Sequence, residues 1–269
     1  MKNFIIDNSD GVFFGTFPAL SEAGFINACS CRLHGESILK EGMFNLALHV
    51  GDDNALVIKN REKLAKALGL DAQKFTTCEQ VHGSNVAVVD EKLVGKGALR
   101  LDDTILGTDA LVTNIKDVPL LLFYADCTPV LLADPVTKCI GLAHAGWRGT
   151  VAKIVQKTVQ VMVDNYAVKP ENIIAAIGPS IGACCYEVDD FVRDKAVGYE
   201  AFFAPVEAKP GHYMLDLWGL NGKMLEEMGV KKENITTSGI CTADNHELFC
   251  SYRAENGKTG RMGVCLSIK

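Results

Sequence analysis

Cys127 and His144 are the two residues of this chain whose types and spacing most directly offer chemistry, and they bracket the stretch CTPVLLADPVTKCIGLAH. If Pro135 to Lys138 form a four-residue connection, Asp134 faces Cys139 in an antiparallel pair and His144 falls opposite Pro129. Cys127 then lies two positions further along the partner strand. That diagonal relation of about 7–8 Å between backbones puts both side chains at one end of a sheet. A thiolate and an imidazole are ordinary zinc ligands, at about 2.3 Å and about 2.0–2.1 Å. They are equally a nucleophile and its base, the imidazole raising the thiolate fraction. A third group, His82, stands in Glu79-Gln80-Val81-His82-Gly83 ahead of the apolar run SNVAVVD. A histidine followed by glycine at a strand entrance is free to turn toward a site, whereas a core histidine sits inside an apolar run. Two His and one Cys suffice for a catalytic zinc that keeps its fourth position open.

Three further places are candidates for substrate contacts. His49, in NLALHVGDDN, has Asn45 and Asp52 nearby to orient it, the competing reading being a solvated loop histidine. Arg148, in Trp147-Arg148-Gly149-Thr150, stands where a strand meets a helix. The unsatisfied N–H groups of a helix start, next to an arginine fork, favour a phosphate or a carboxylate, and the plainer alternative is a structural ion pair. Gly178 and Ser180 belong to the glycine-rich turn GPSIGACCYE after the apolar run NIIAAI, a position where α/β sheets place ligands. This turn lacks the GK[ST] ending of a P-loop and the GxGxxG spacing, and no GxSxG elbow occurs in the chain, so nucleoside triphosphate, NAD and serine-hydrolase chemistries lose support.

The elements that must position these residues read as a mixed α/β domain. VFFGTF, GFINACSCRL and SNVAVVD are strand-like, with β-branched and aromatic residues bounded by Gly, Asp and Asn. DDNALVIKNREKLAKALGL repeats Leu56, Leu64 and Leu68 at helical spacing and stops at Gly69. PLLLFYADC, PVLLADP and CIGLAHAG are buried-type strands, and a helix is expected from Gly149-Thr150 to about Tyr166. With NIIAAIG after Lys169-Pro170, strand, helix and strand suggest a βαβ unit. One more helix is expected over about Leu217–Met228 before Gly229, followed by short strands ending in VCLSIK, and residues 90–107 read as a polar loop. No repeat or linker divides the chain, so residues 1–269 are expected to form a single domain.

Composition narrows the function classes. Hydrophobic residues make up 48% and charged residues 22%, as in globular domains, which excludes disordered and coiled-coil chains. The net charge of −6, without a clustered Lys/Arg face, argues against nucleic acid as a partner. No apolar window is long enough for a membrane span, and the apolar run before Asp7 is too short for a signal peptide. A cytoplasmic location is expected, and there the ten cysteines read as packing thiols plus one or two functional positions. Cys29-x-Cys31 and Cys184-Cys185 lack ordinary zinc-ribbon spacing.

The set QVHGSNV, TDALVTN, YADCTPVLLADP, AHAGWRGT, AIGPSIGACCYEV, DLWGLN, CTADNHELFCSYR and GRMG resembles the YfiH family. Its members are also called laccase-domain, multicopper polyphenol oxidase-like or purine nucleoside phosphorylase-like proteins. The resemblance covers nearly the whole chain and implies a four-layer α/β/β/α fold with mixed sheets. It also implies a metal site formed by His82, Cys127 and His144, the three residues selected above. Two departures stand out: Tyr124 where Thr is frequent before ADC, which could alter the pocket, and Cys250 where an aromatic residue is common. The implied activity is zinc-dependent phosphorolysis of adenosine, inosine and methylthioadenosine, with adenosine deamination. The partners are then a purine nucleoside and phosphate, with Cys127 and His144 at the catalytic centre. Alternatives carried by the same resemblance are a copper-dependent polyphenol oxidase and a cysteine- or metal-dependent hydrolase editing peptidoglycan precursors. A non-enzymatic module that binds a nucleoside or a partner protein is the reading from a different class. Copper electron transfer needs several His-rich sites, and the chain has six His with no HxH pair, which favours zinc over Cu2+.

Overall fold

The computed structural model describes residues 3–269. Fourteen strands and six α-helices are present among them. The first sheet orders β1 (Ile5–Ser9), β2 (Val12–Thr16), β3 (Phe25–Ser30), β14 (Met262–Ile268) and β6 (Leu120–Tyr124), all neighbours antiparallel. The second orders β13 (Ile235–Thr237), β9 (Ile174–Ile177), β7 (Thr128–Asp134), β8 (Cys139–Ala145), β5 (Ala110–Thr113) and β4 (Val86–Val88), with parallel pairs at both edges. A small third sheet joins β10 (Glu187–Asp189), β12 (His212–Leu215) and β11 (Phe203–Pro205).

The two large sheets face one another across a core of Phe25, Leu120, Leu122, Leu131, Ile140, Leu142 and Val264. Strands buried on both faces carry continuous apolar runs, which is why LLLFY and CIGLAHA show no alternation. On the outer face of the first sheet lies α2 (Asn54–Leu68), packed on Phe14, Leu121 and Phe123 through Leu64 and Ala65. On the outer face of the second lie α4 (Ile154–Tyr166) and α6 (Leu217–Glu227). The result is the α/β/β/α layering that the family resemblance implied. No helix among the described residues is long and apolar enough to cross a membrane.

Local chemistry explains the helix limits. Asp53 caps α2 by accepting from the Ala55 amide at 2.8 Å, and Gly69 ends it at φ 67°, a left-handed conformation that costs glycine nothing. Besides Asn60, Arg61 is the exception to an apolar inner face. Its buried guanidinium donates to the carbonyls of Leu46, Gly97 and Ala98, so it fastens the 90–107 loop to the helix. The helix expected from Gly149-Thr150 is in fact two: α3 (Trp147–Val151) and α4, separated at Lys153 with φ 64°. The expected strand–helix–strand unit also differs in detail, because β8 and β9 are both antiparallel to β7 and run parallel to each other with β7 between them. The remaining helices, α1 (Pro18–Glu22) and α5 (Asp190–Arg193), are single turns.

Candidate metal site and its cavity

The hairpin of β7 and β8 has the register expected from its four-residue connection, with Asp134 opposite Cys139 and Pro129 opposite His144. Cys127 lies just before β7, in the Ala125-Asp126-Cys127 turn that carries the chain from the first sheet to the second. Asp126 takes φ 78° there, and its neighbours pin the turn. Its carboxylate accepts from the Thr242 hydroxyl and the Arg253 amide, each at 2.6 Å, while its carbonyl accepts from the Ile181 amide.

His82 arrives from a third direction, on the loop ahead of β4, also in the left-handed region at φ 58°. What holds it is Asp109, a fully buried carboxylate at the entrance of β5. Asp109 accepts from the amides of Val81, His82 and Gly83 at 3.2, 2.9 and 2.7 Å, and its Oδ1 lies 2.9 Å from His144 Nδ1. One carboxylate thus sets the backbone of the first histidine and the ring of the second. With Nδ1–H donated to Asp109, His144 keeps the Nε2 lone pair for the site. The donor atoms of His82, Cys127 and His144 lie within 4.8 Å of one another. A metal ion fits these residues: the set is mixed thiolate and imidazole, the carboxylate support is in place, and the wall is glycine. A Cβ at Gly146 would come within 2.8 Å of Cys127 Sγ and 3.4 Å of His82 Cδ2, so only glycine leaves the cradle clear.

Electrostatics without a metal favours an ion pair. Burial opposes ionisation of the Cys127 thiol, but the His144 and His82 rings outweigh it and bring the thiol down to about 6. Burial likewise opposes charge on His144, and Cys127 with Asp109 brings it up to about 9. Alkylation reports this directly, since only the thiolate reacts and its fraction rises with pH through the pKa. In chelated protein, iodoacetamide labelling of Cys127 is expected to have a midpoint near pH 6, below the about 8.5 of a free cysteine. Peptide mapping separates it from the exposed Cys184, whose thiol is pushed up to about 11 by the partial loss of water around its sulfur and then by the Asp244 carboxylate. A Cys127 midpoint at pH 8 or above would contradict the ion pair.

The three donors open into a cavity of about 560 Å³ also lined by His49, Gln80, Phe123, Trp147, Arg148, Tyr186, Tyr252, Arg253 and Arg261. Arg148 and His49 therefore share the cavity with the donors. His49 is reachable by solvent through the cavity mouth, yet the chain packed around it, then Arg261 and Arg61, bring its pKa down to about 4, so its ring is neutral at pH 7. Asn45 and Asp52 do not orient it. They bond to each other at 2.8 Å, and Asn45 is buried behind the cavity, where its Oδ1 accepts from the Arg261 amide. Gly178 and Ser180 are not among the lining residues either: Ser180 is buried and accepts from Trp218 Nε1 at 2.6 Å. The turn contributes Ile181 and Tyr186 instead. Arg148 sits on α3, a single turn, so its own guanidinium and not a long helix dipole is what it brings. Tyr124 does not shape the cavity. Its ring packs between the sheets 5.4 Å from that of His144, and its hydroxyl donates to the Ala143 carbonyl. Cys250 is core packing.

Asp109, Gln80, Arg253 and Arg261 were not singled out from the sequence. A Thr-Asp pair immediately before the apolar run Ala-Leu-Val is the signal that marks Asp109, because an acid at such an entrance is buried and needs donors. Gln80 clamps the Phe123 backbone through both amide atoms at 2.8 Å.

The whole-chain comparisons agree with this geometry. A sequence profile described as multi-copper polyphenol oxidoreductase laccase matches residues 26–269. The chain belongs to this family. It is 40% identical over 227 residues to purine nucleoside phosphorylase YlmD of Bacillus subtilis, covering 84% of this chain and 82% of that protein. It is 38% identical over 243 residues to the protein of the same name from Geobacillus stearothermophilus, covering 89% of each. Among solved structures, the Bacillus licheniformis hypothetical protein YfiH has a TM-score of 0.93 at 33% identity, and the Geobacillus stearothermophilus YlmD one of 0.91 at 35%, each over 100% of both chains. These values establish the YfiH-like, laccase-domain fold for this chain.

Proposed function

We propose that this protein is a zinc-dependent purine nucleoside phosphorylase acting on adenosine, inosine and methylthioadenosine, with adenosine deamination at the same site. The observation that carries this reading is one cavity holding both the His82, Cys127 and His144 donors and three guanidiniums, those of Arg148, Arg253 and Arg261. Each guanidinium lies over an aromatic ring, on Trp147, Tyr186 and Tyr252 at 4.4, 5.3 and 5.8 Å. Among the described residues none of the three is ion-paired to a carboxylate, which leaves their charge for an anionic substrate. A phosphate beside a nucleoside is such a substrate, and the aromatic walls offer faces for a purine. The relatives named purine nucleoside phosphorylase support the same class.

In phosphorolysis a phosphate oxygen bonds to C1′ as the glycosidic C–N bond breaks, its electron pair leaving with the purine. Arg148, Arg253 and Arg261 hold the phosphate, Phe123 with the tyrosines confines the base, and neutral His49 offers a hydrogen bond without adding charge. His82, Cys127 and His144 would hold the zinc, which when bound supplies Lewis acidity toward a substrate oxygen or an attacking water. Asp109 keeps the His144 proton on Nδ1 throughout. A multicopper electron relay is disfavoured because, among the described residues, the second group of metal-ligating side chains contains no histidine. Ten unpaired cysteines support a cytoplasmic location.

The metal-free ion pair favours a second reading. Cys127, His144 and Asp109 are then the nucleophile, base and orienting acid of a cysteine hydrolase. One assay decides between them: adenine release from adenosine, with and without phosphate, in metal-loaded and chelated protein. Phosphate-dependent release that is lost on chelation and restored by zinc is the expected result. Undiminished turnover in the metal-free protein would overturn the proposal.

A further inference from the structure

Two loops at one edge of the second sheet bring three cysteines and an aspartate around a single point. Cys184 and Cys185 lie beyond β9, Cys241 and Asp244 beyond β13, and one donor atom from each lies within 4.8 Å of all the others. β9 and β13 are parallel neighbours, so both loops leave the sheet in the same direction. Backbone pairing continues past the strand ends, with the Ser180 amide donating to the Ile240 carbonyl at 3.3 Å and the Thr242 amide to the Ser180 carbonyl at 3.0 Å. The convergence therefore rests on the sheet. Cys184 and Cys185 each direct a thiol at Asp244, at 3.0 and 2.9 Å on its two carboxylate oxygens. Cys241 Sγ accepts from the buried Gly182 amide at 3.3 Å, the kind of support that metal-bound thiolates receive. A Cβ at Gly182 would come within 3.3 Å of Cys184 Sγ and 2.9 Å of the Trp218 ring, so the turn closes only on glycine.

We propose that Cys184, Cys185, Cys241 and Asp244 form a second metal site, separate from the cavity donors, that takes a thiophilic divalent cation, zinc. Three sulfurs and one carboxylate oxygen complete a four-coordinate set, the closed arrangement of a structural site, whereas magnesium and calcium prefer oxygen donors. Bonds of about 2.3 Å in a tetrahedron place sulfurs about 3.8 Å apart. The donor atoms, all within 4.8 Å of one another, are close enough to gather on one such ion. Loading forms three S–Zn bonds and one O–Zn bond and releases the thiol protons to solvent.

The site fastens one wall of the cavity. Ile181 and Tyr186, which line it, flank the cysteine pair in the chain. The Cys185 carbonyl accepts from the Arg253 guanidinium at 3.2 Å, and Thr242, next to Cys241, holds Asp126. The metal thus joins the loop that carries Tyr186 to the segment that positions Arg253 and the Cys127 turn.

The test is metal content by mass spectrometry on full-length protein purified with zinc under reducing conditions. The paired Cys184→Ser and Cys185→Ser change, at positions not buried in the core, is expected to lose one equivalent of zinc per chain relative to the unaltered protein. His82→Ala is expected to lose a different equivalent and to keep the sulfur-rich one. Because the readout is a difference between variants, it stands whatever occupies the first site. Cobalt loading gives a check that does not depend on counting: the thiolate charge-transfer band should fall to that of a single sulfur in the paired variant. An unchanged zinc content in that variant would overturn the proposal. So would recovery of the native protein with two of these cysteines joined in a disulfide.

Discussion

Replacing His82 with alanine is expected to weaken zinc binding by roughly 10³-fold and to abolish phosphate-dependent adenine release, with the fold intact. A full set of structural zinc ligands contributes about 10–16 kcal/mol, so one donor of a comparable set is worth about 4 kcal/mol, which is that factor in affinity. The fold should survive because His82 is exposed and because Asp109 holds its backbone amide, which the substitution leaves in place. Isothermal titration with zinc after chelation and thermal unfolding of the same sample measure the two quantities. The variant also separates the two functional readings. A cysteine hydrolase built on Cys127, His144 and Asp109 keeps all three of its groups and stays active without His82. Loss of activity together with loss of metal supports the three-ligand site; full activity in a metal-free His82→Ala protein would sink it.

Asp109→Asn is expected to have the second largest effect, through positioning and not through contact with substrate. The native carboxylate accepts from three backbone amides and the His144 ring. An asparagine presents one acceptor and turns an NH2 toward donors, leaving at least two of them without an acceptor at about 1–3 kcal/mol each. His144 also loses the acceptor that fixes its tautomer. Zinc affinity is expected to fall about 10–100-fold, the usual cost of removing such a support. Urea unfolding should show a loss of about 2–4 kcal/mol. The alkylation profile of Cys127 adds a readout that a merely structural role would not move. Its midpoint should rise above 6, because His144 loses the carboxylate that helps keep it charged beside the thiol. An unshifted midpoint would show that Asp109 does not act through His144.

Much of the fold was legible because its signals are local. Asp53 and Gly69 mark the ends of α2 in the chain itself, and the apolar runs around Leu131 and Leu142 announce strands buried on both faces. Where the reading fell short, the missing information was long-range. Nothing near the C-terminus says that β14 slots between β3 and β6, nor does the stretch from Glu187 to Leu215 declare its small sheet. The break at Lys153 was likewise hidden, since a left-handed lysine has no sequence mark.

The sequence by itself determined that Cys127 and His144 meet at one end of a sheet. A short hairpin connection sets the register, and the register places His144 diagonal to Cys127, because strand pairing has a fixed spacing. The rest of the cavity wall was a different matter. His49 and Arg148 reach the cavity, but Asn45, Gly178 and Ser180 lie behind it, because proximity along the chain does not say which face of a loop is turned outward. Only the tertiary structure decided that Arg253 and Arg261 join Arg148, and that Asp109 governs both histidines. It also took Cys241 out of the packing thiols and set it beside Cys184, Cys185 and Asp244. The physical reason is the same in each case. These groups come from separate segments, Asp109 standing 27 and 35 residues from the two histidines and Asp244 59 from Cys185, and they meet where the two sheets and their loops converge, so their chemistry belongs to the packing and not to any one stretch of chain.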